Sequence, residues 1–472
     1  MSLLGQSFTP PDPAAALCIP ARPATAVVLA AGRSERAGAA TQGSSKVLLR
    51  VGGLSLLERT LLTLQAAGIE KTVVVVGHDA DRVGRLAKAA LPGRVEVVCA
   101  ERWEAGNGES LAAAADAVQD EPFFLLLMSD HLFGAEAIDQ LLQVGAPAAL
   151  VDPDPGPEVL AEGTRVMVAD GLALAFSKEL DASCVDCGAF VVPRDIFDHQ
   201  RTAAAEGDHS VAGALTRLAA QQSVLTVRLA SDCWWVDVDT PTDLVHARRQ
   251  LRRSLIKPGD GPVARLLNRR ISTRISMALA PLRIAPDLVT VSVFLLALLA
   301  ALALGTGQGL VGGLLAQLSS VLDGVDGELA RLQFRASTRG AVLDSVLDRV
   351  ADAAILTALA VWAVASHLPT GLLLVLTGAA VSGSFLSMAL KDRAAAVGLP
   401  PFPERIFGLF LGGRDGRLLL VAVCAILGQP VLALMAVTLT SGLALGARLW
   451  FVWWPPASRD SLARAVDRAG KR

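Results

Sequence analysis

The stretch DGVDGELARLQFRASTRGAVLDSVLD, residues 323–348, decides what the C-terminal half of this chain is. Its skeleton is Asp323, Asp326, Gly327, Ala330, Arg331, Gly340, Asp344 and Asp348. On helices, Asp323 and Asp326 stand at i, i+3 and Asp344 and Asp348 at i, i+4, so each pair shares a face. A carboxylate placed near an apolar helix end costs about 2.5–3.5 kcal/mol on insertion scales. Four of them have no solubilising role there. Two such faces turned together would bracket one or two divalent metals with oxygen ligands. Gly324, Gly327, Ala330, Gly340 and Ala341 are small enough to let the helices and a diphosphate approach closely. Plainer roles, an exposed helix end for Asp323 and a membrane-surface anchor for Arg331, explain single residues but not the set. Asp352 continues the same face but lies outside the skeleton.

Around this stretch the chain is apolar. Residues 288–304 carry no charge, nor do 371–390, 418–427 and 431–445, and a bilayer-spanning helix needs about 20 apolar residues. Six spans are predicted, near 286–305, 309–329, 340–366, 370–391, 416–428 and 430–454, with the second and fifth the weakest. The connection 330–339 holds Arg331, Arg335 and Arg339, and 391–417 holds Lys391, Arg393, Arg405, Arg414 and Arg417, whereas the alternate connections lack Lys and Arg. Basic loops mark the cytoplasmic side, which places both termini inside an inner-membrane protein. Residues 257–285, including RRISTRISMALAPLRIAPDLVT, read as an interfacial amphipathic linker into the first span. A basic cytosolic tail, 456–472, would follow a membrane domain over 286–455.

The N-terminal half has a different character. Across 472 residues the hydrophobic share is 52% and the charged share 19%, which excludes a disordered chain, and a net charge of -2 argues against nucleic-acid binding. Residues 1–23, Pro/Ala-rich and without a secretory pattern, are predicted to be a disordered tail, and 24–256 mix charge and apolar runs as a cytosolic domain does. Strands are predicted at 26–30, 72–76, 95–99 and 123–128, with helices at 56–67, 81–91 and 110–118 between them. That rhythm implies a largely parallel, doubly wound α/β sheet with ligands beyond the carboxyl ends of its strands. LAAGRSERAG follows the first strand, and the loop's small residues, with Arg36 and Lys46, suit phosphate; GxxxxGK[ST] is absent. Asp130 closes the strand before His131, and Asp237 and Asp239 in VDVDTPTDL offer further carboxylates. The six histidines show no metal-ligand spacing, and Cys184 and Cys187 lack the second pair that a zinc site needs.

Two resemblances follow from these residues. LAAGxxxR…K, then Gly106-Asn107-Gly108, then SDH, then DVDTPTDL resembles the sugar-phosphate nucleotidyltransferases over 24–255, above all the inositol-1-phosphate cytidylyltransferases. The resemblance implies that Ala30, Ala31, Gly32, Arg36 and Lys46 hold CTP, with Gly106, Asn107 and Gly108 against its base or sugar. It further implies that Asp130 and Asp237 bind metal and that Lys178 meets the inositol phosphate. Ser34 stands where many relatives carry a second glycine. DxxDGxxARx8GxxxDxxxD resembles the CDP-alcohol phosphotransferases without a gap. Asp323, Asp326 and Asp344 are then metal ligands, Asp348 is the general base and an added metal contact, and Gly327, Ala330, Arg331 and Gly340 line the nucleotide. Lys391, Arg393 and Arg405 are candidates for an acceptor phosphate.

Joined, the halves resemble fused enzymes that make a CDP-alcohol and then spend it. The implied course is CTP and inositol 1-phosphate to CDP-inositol, then transfer of phosphoinositol to a second inositol 1-phosphate with release of CMP. Mg2+ or Mn2+ and a homodimer are implied by the families alone, as is the alcohol. Alternatives are another alcohol, a lipid acceptor, or a first domain that only binds nucleotide. A transporter is disfavoured by the four aspartates and the lack of an internal repeat.

Overall fold

The computed structural model describes residues 22–33, 43–144, 147–257, 259–366, 368–399, 402 and 412–453. Two compact units, Met1–Leu251 and Arg252–Arg472, make up the chain.

In the first unit the runs TAVVLA, KTVVVV and FFLLLM are apolar without alternation, as strands covered on both faces must be. The strands are β1 (Thr25–Ala30), β2 (Arg50–Val51), β3 (Leu54–Ser55), β4 (Lys71–Val76), β5 (Val95–Cys99), β6 (Phe123–Met128) and β7 (His131–Phe133). They continue with β8 (Ala148–Asp152), β9 (Arg165–Ala169), β10 (Leu172–Ser177), β11 (Cys184–Pro193), β12 (Val224–Arg228) and β13 (Trp235–Asp237). Nine of them form one sheet in the order β5-β4-β1-β6-β11-β8-β12-β10-β9. Val28 and Val27, neighbours in β1, enter different cores on its two faces. One core takes Leu57, Leu61 and Ile138 from helices, the other Leu111, Leu215 and Leu218.

The expectation of a largely parallel sheet fits only part of it. β5, β4, β1 and β6 run parallel. Beyond them β11 lies antiparallel to β6 and β8, and β10 antiparallel to β12 and β9, with β8–β12 the parallel exception. A local reason is visible at Asp170-Gly171, whose φ angles of 51° and 78° make the two-residue turn that reverses the chain between β9 and β10.

Among the described residues, the second unit holds six long helices: Pro286–Gly305, Gly309–Leu332, Thr338–Ala363, Thr370–Ala396, Arg414–Ile426 and Pro430–Trp453. The first, fourth and sixth are long and apolar enough to cross a membrane. The other three are shorter or carry the acidic residues of the site, so the six-span count is not established by length and composition. Leu302, Leu374, Leu439 and Trp453 lie on the outside of these helices, each more than 60% exposed, as on a protein that meets lipid.

The linker is not passive. A π-helical turn, Ala264–Asn268, precedes the helix Arg269–Leu279, whose Ser272, Thr273 and Ser276 are buried while Ile271 is exposed. Glu328, fully buried on the Gly309–Leu332 helix, accepts hydrogen bonds from Ser272 Oγ (2.7 Å), Ser276 Oγ (2.6 Å) and Arg269 Nη1 (3.1 Å). A Cβ at Gly324 would overlap the Arg269 guanidinium, so glycine there opens its path to Glu328. Glu328→Ala would leave two buried hydroxyls without their acceptor, while Arg269 keeps Asp260 at 3.0 Å. We expect it to cost about 1–3 kcal/mol, read as an early unfolding transition in detergent, with Glu328→Gln milder.

Candidate active sites

The first site lies where the parallel strands end. Gly32 follows β1 with open space around its Cβ position, while Ala30 packs into the core. Lys46 opens a short 3-10 turn, Lys46–Leu48. Its ammonium pairs with Asp130 Oδ2 at 2.7 Å and also with Asp239. Burial works against that charge, but Asp130, Asp239 and Asp237 outweigh it and raise the Lys46 pKa above the usual lysine range. Burial likewise opposes ionisation of Asp130, yet Lys46 and His131 draw its carboxyl down to about 2. Asp237 moves the other way: burial lifts it, His131 pulls back, and the like charges of Asp130 and Asp239 leave it at about 6.

Two cavities meet at Asp130. One, of about 530 Å³, is lined by Ala31, Gly32, Lys46, Gly106 and Asn107; the other, of about 1390 Å³, by Asn107, Lys178, Asp186 and Asp237. Both could hold part of a two-substrate complex. The glycines of Gly106-Asn107-Gly108 have a further task. Gly108 N donates to His209 O at 2.8 Å, and a Cβ on either glycine would strike that carbonyl. In Gly108→Ala the added carbon would sit 2.7 Å from backbone oxygen, an overpacking that we expect to cost about 1–3 kcal/mol in thermal stability.

Histidine spacing in the sequence pointed to no metal, but the fold brings His131 to the carboxylates. β7 and β13 pair antiparallel with His131 directly opposite Asp237. Asp130, His131 and Asp237 each present a ligand atom, all within 4.8 Å of one another. Asp237 Oδ1 is buried without a hydrogen-bond partner among the described residues. Such a donor set fits a divalent cation.

In the second unit Asp323, Asp344 and Asp348 present carboxylate oxygens within 4.8 Å of one another. These all-oxygen donors suit a hard divalent cation. Asp326 lines the same small cavity, its carboxylate accepting from Thr290 Oγ1 and its own neighbour Gly327 N, both at 2.5 Å. Arg414, a loop charge in the sequence reading, is the chief addition. Its guanidinium meets Asp323 at 2.6 Å, Asp348 at 3.0 Å and Asp352 at 3.1 Å, and Arg417 meets Asp352 at 3.5 Å. Asp352 thus orients the arginine that faces the cluster. Asp415 accepts from Asn268 Nδ2 at 2.6 Å and Ser320 Oγ at 3.3 Å, fixing the start of the Arg414–Ile426 helix.

The remaining predicted residues divide. Arg331 donates to Leu255 O at 3.2 Å, and a Cβ on Gly327 would touch its guanidinium; Ala330 precedes it on the same helix. Gly340 N donates to Ser337 Oγ, the N-cap of Thr338–Ala363. Lys391 and Arg393 are exposed near the end of the Thr370–Ala396 helix and do not line the aspartate cavity. Ser34, Arg36 and Arg405 lie outside the described residues.

Known proteins carry the same two parts. Residues 26–160 match the MobA-like NTP transferase domain and 283–454 the CDP-alcohol phosphatidyltransferase family. A bifunctional IPC transferase and DIPP synthase of Rubrobacter xylanophilus is 39% identical over 417 residues, 87% of this chain and 92% of that protein. This chain belongs to the bifunctional IPC transferase and DIPP synthase family. A member from Aquifex aeolicus is 32% identical over 438 residues, covering 91% of this chain and 98% of its own. A member from Thermococcus kodakarensis is 36% identical over 345 residues, 72% of this chain and 76% of its own. Members of the family are enzymes of both kinds, nucleotidyltransferase and CDP-alcohol phosphotransferase, and both acidic clusters fall in the matching units.

Proposed function

We propose that the first unit joins CTP and inositol 1-phosphate into CDP-inositol, releasing pyrophosphate, and that the second spends it. There phosphoinositol passes to another inositol 1-phosphate, giving di-myo-inositol phosphate phosphate and CMP. The observation that carries this reading is the pair of carboxylate clusters, one in each unit, in a chain whose relatives share both units.

In the first reaction a phosphate oxygen of inositol 1-phosphate attacks the α-phosphorus of CTP, bringing like charges together. Lys46 offsets the charge of the triphosphate from the Gly32 side, Arg36 adds positive charge for it, and Lys178 holds the attacking phosphate from the larger cavity. Positioning supplies most of the remaining rate. In the second reaction Asp348 takes the proton of an acceptor hydroxyl as its oxygen attacks the β-phosphorus of CDP-inositol, and CMP leaves. Gly327, Ala330, Arg331 and Gly340 bound the nucleotide, and Lys391, Arg393 and Arg405 hold the acceptor phosphate. A divalent ion, Mg2+ or Mn2+, held by Asp130 and Asp237 or by Asp323, Asp326, Asp344 and Asp348, would supply charge neutralisation on the bridging phosphates.

The distribution of Lys and Arg supports six spans with both termini and both sites on the cytoplasmic side, in an inner membrane whose lipid surrounds residues 286–455. Residues 24–256 are the cytosolic enzyme, 257–285 the interfacial connection, and the active form a homodimer.

The test is a time course with the purified chain, labelled CTP and inositol 1-phosphate, its products identified by mass. CDP-inositol should rise first and a water-soluble phosphodiester after it. Failure of CDP-inositol to form would eliminate the substrate, and a lipid-soluble product would move the acceptor to a lipid.

A further inference from the structure

From the geometry around His131 we infer that its Nε2 is the third protein ligand of the cation held by Asp130 and Asp237, and that this nitrogen biases the nucleotidyltransferase site away from Mg2+ toward first-row divalent ions such as Mn2+. The inference rests on the proposed metal role of those two aspartates and extends it.

The imidazole is held more firmly than a side chain in a casual position would be. Its Nδ1 lies 2.7 Å from Cys187 O. A carbonyl only accepts, so in the neutral ring that metal binding requires Nδ1 carries the proton and Nε2 keeps its lone pair. The ring stacks on Trp235, with centroids 5.3 Å apart and planes 24° from parallel. Behind it Gly188 has φ +71°, and a Cβ there would lie 2.5 Å from Nδ1, so the backbone itself makes room for the ring. The lone pair then faces the acids. Nε2 lies 3.6 Å from Asp237 Oδ1 and 3.8 Å from Asp130 Oδ1, longer than a hydrogen bond but right for atoms that share one ion. Asp237 Oδ1, at the near end of this gap, is the buried oxygen with no hydrogen-bond partner among the described residues. A carbonyl that fixes the tautomer while the other nitrogen points at the ligand set is how metal-bound histidines are oriented.

The chemical consequence is selectivity. Carboxylates suit Mg2+ and Mn2+ alike, whereas an imidazole nitrogen added to them is a better ligand for first-row transition ions than for Mg2+. The second unit offers no histidine among its described residues, so its cluster should lack this preference. One chain would then hold two sites of different metal taste.

Pulsed EPR of the full-length protein in detergent with Mn2+ as the probe decides the matter. Wild type should show nitrogen modulation from a bound imidazole. In protein grown with 15N-histidine the pattern should change to that of 15N, a measurement that needs no substitution. His131→Gln should bind Mn2+ without the modulation, and its preference for Mn2+ over Mg2+ should fall by about tenfold or more. Bound Mn2+ that Asp130→Asn releases but that shows no histidine coupling would overturn the inference and leave the aspartate reading intact. A first unit that binds no Mn2+, so that Asp130→Asn changes nothing, would overturn both.

Discussion

In Asp348→Ala, CDP-inositol should accumulate. The first unit keeps every residue that it needs, so CTP and inositol 1-phosphate are still consumed, while the second reaction slows by about 10²–10⁴-fold, the usual worth of a positioned general base. Asp348 is also one of three carboxylates whose oxygens lie within 4.8 Å of each other, and it faces Arg414 at 3.0 Å. Its loss therefore weakens the grip on the diphosphate as well as the proton transfer, which puts the expected effect toward the upper end. Mass analysis of the reaction mixture reads the intermediate directly. Consumption of CDP-inositol at the wild-type rate would show that the base is another residue.

Lys46→Ala should do the reverse. The ammonium sits between Asp130 and Asp239, and alanine would leave those carboxylates facing one another with less positive charge for the triphosphate. CDP-inositol formation should fall by about 10²–10³-fold, as when a preorganised charge-stabilising group is removed. Supplied CDP-inositol should still be turned over at the wild-type rate. That second activity is an internal control for the amount of intact second unit in the sample. Equal loss of the two would mean that Lys46 supports the structure rather than the reaction.

What the sequence makes legible is what lies within a few residues of itself. The spacing of Asp323, Asp326, Asp344 and Asp348 depends on helical geometry alone, and the helices Gly309–Leu332 and Thr338–Ala363 bring it about. β1, β4 and β6 were readable because a buried parallel strand is an unbroken apolar run, and β5, an edge strand that carries Glu96, through its β-branched valines. Past Met128 the antiparallel order rests on long-range pairing, that of the ten-residue β11 with β6 and β8 above all. Even so, Asp170-Gly171 was a hairpin signal in plain view. His131 needed the pairing of two three-residue strands far apart in sequence. Arg414 read as a loop charge until the helix that it begins placed it among the aspartates. Glu328, within the signature itself, gave no hint of its partners, because serines on the linker carry no pattern that marks them as donors to a buried acid.

The clustered carboxylates are expected to act through cations that hold a diphosphate, and turnover of supplied CDP-inositol by the purified chain after removal of divalent ions reads that dependence. Activity should drop to background in excess chelator and return when Mg2+ or Mn2+ is restored. Undiminished turnover in the chelator would contradict the account.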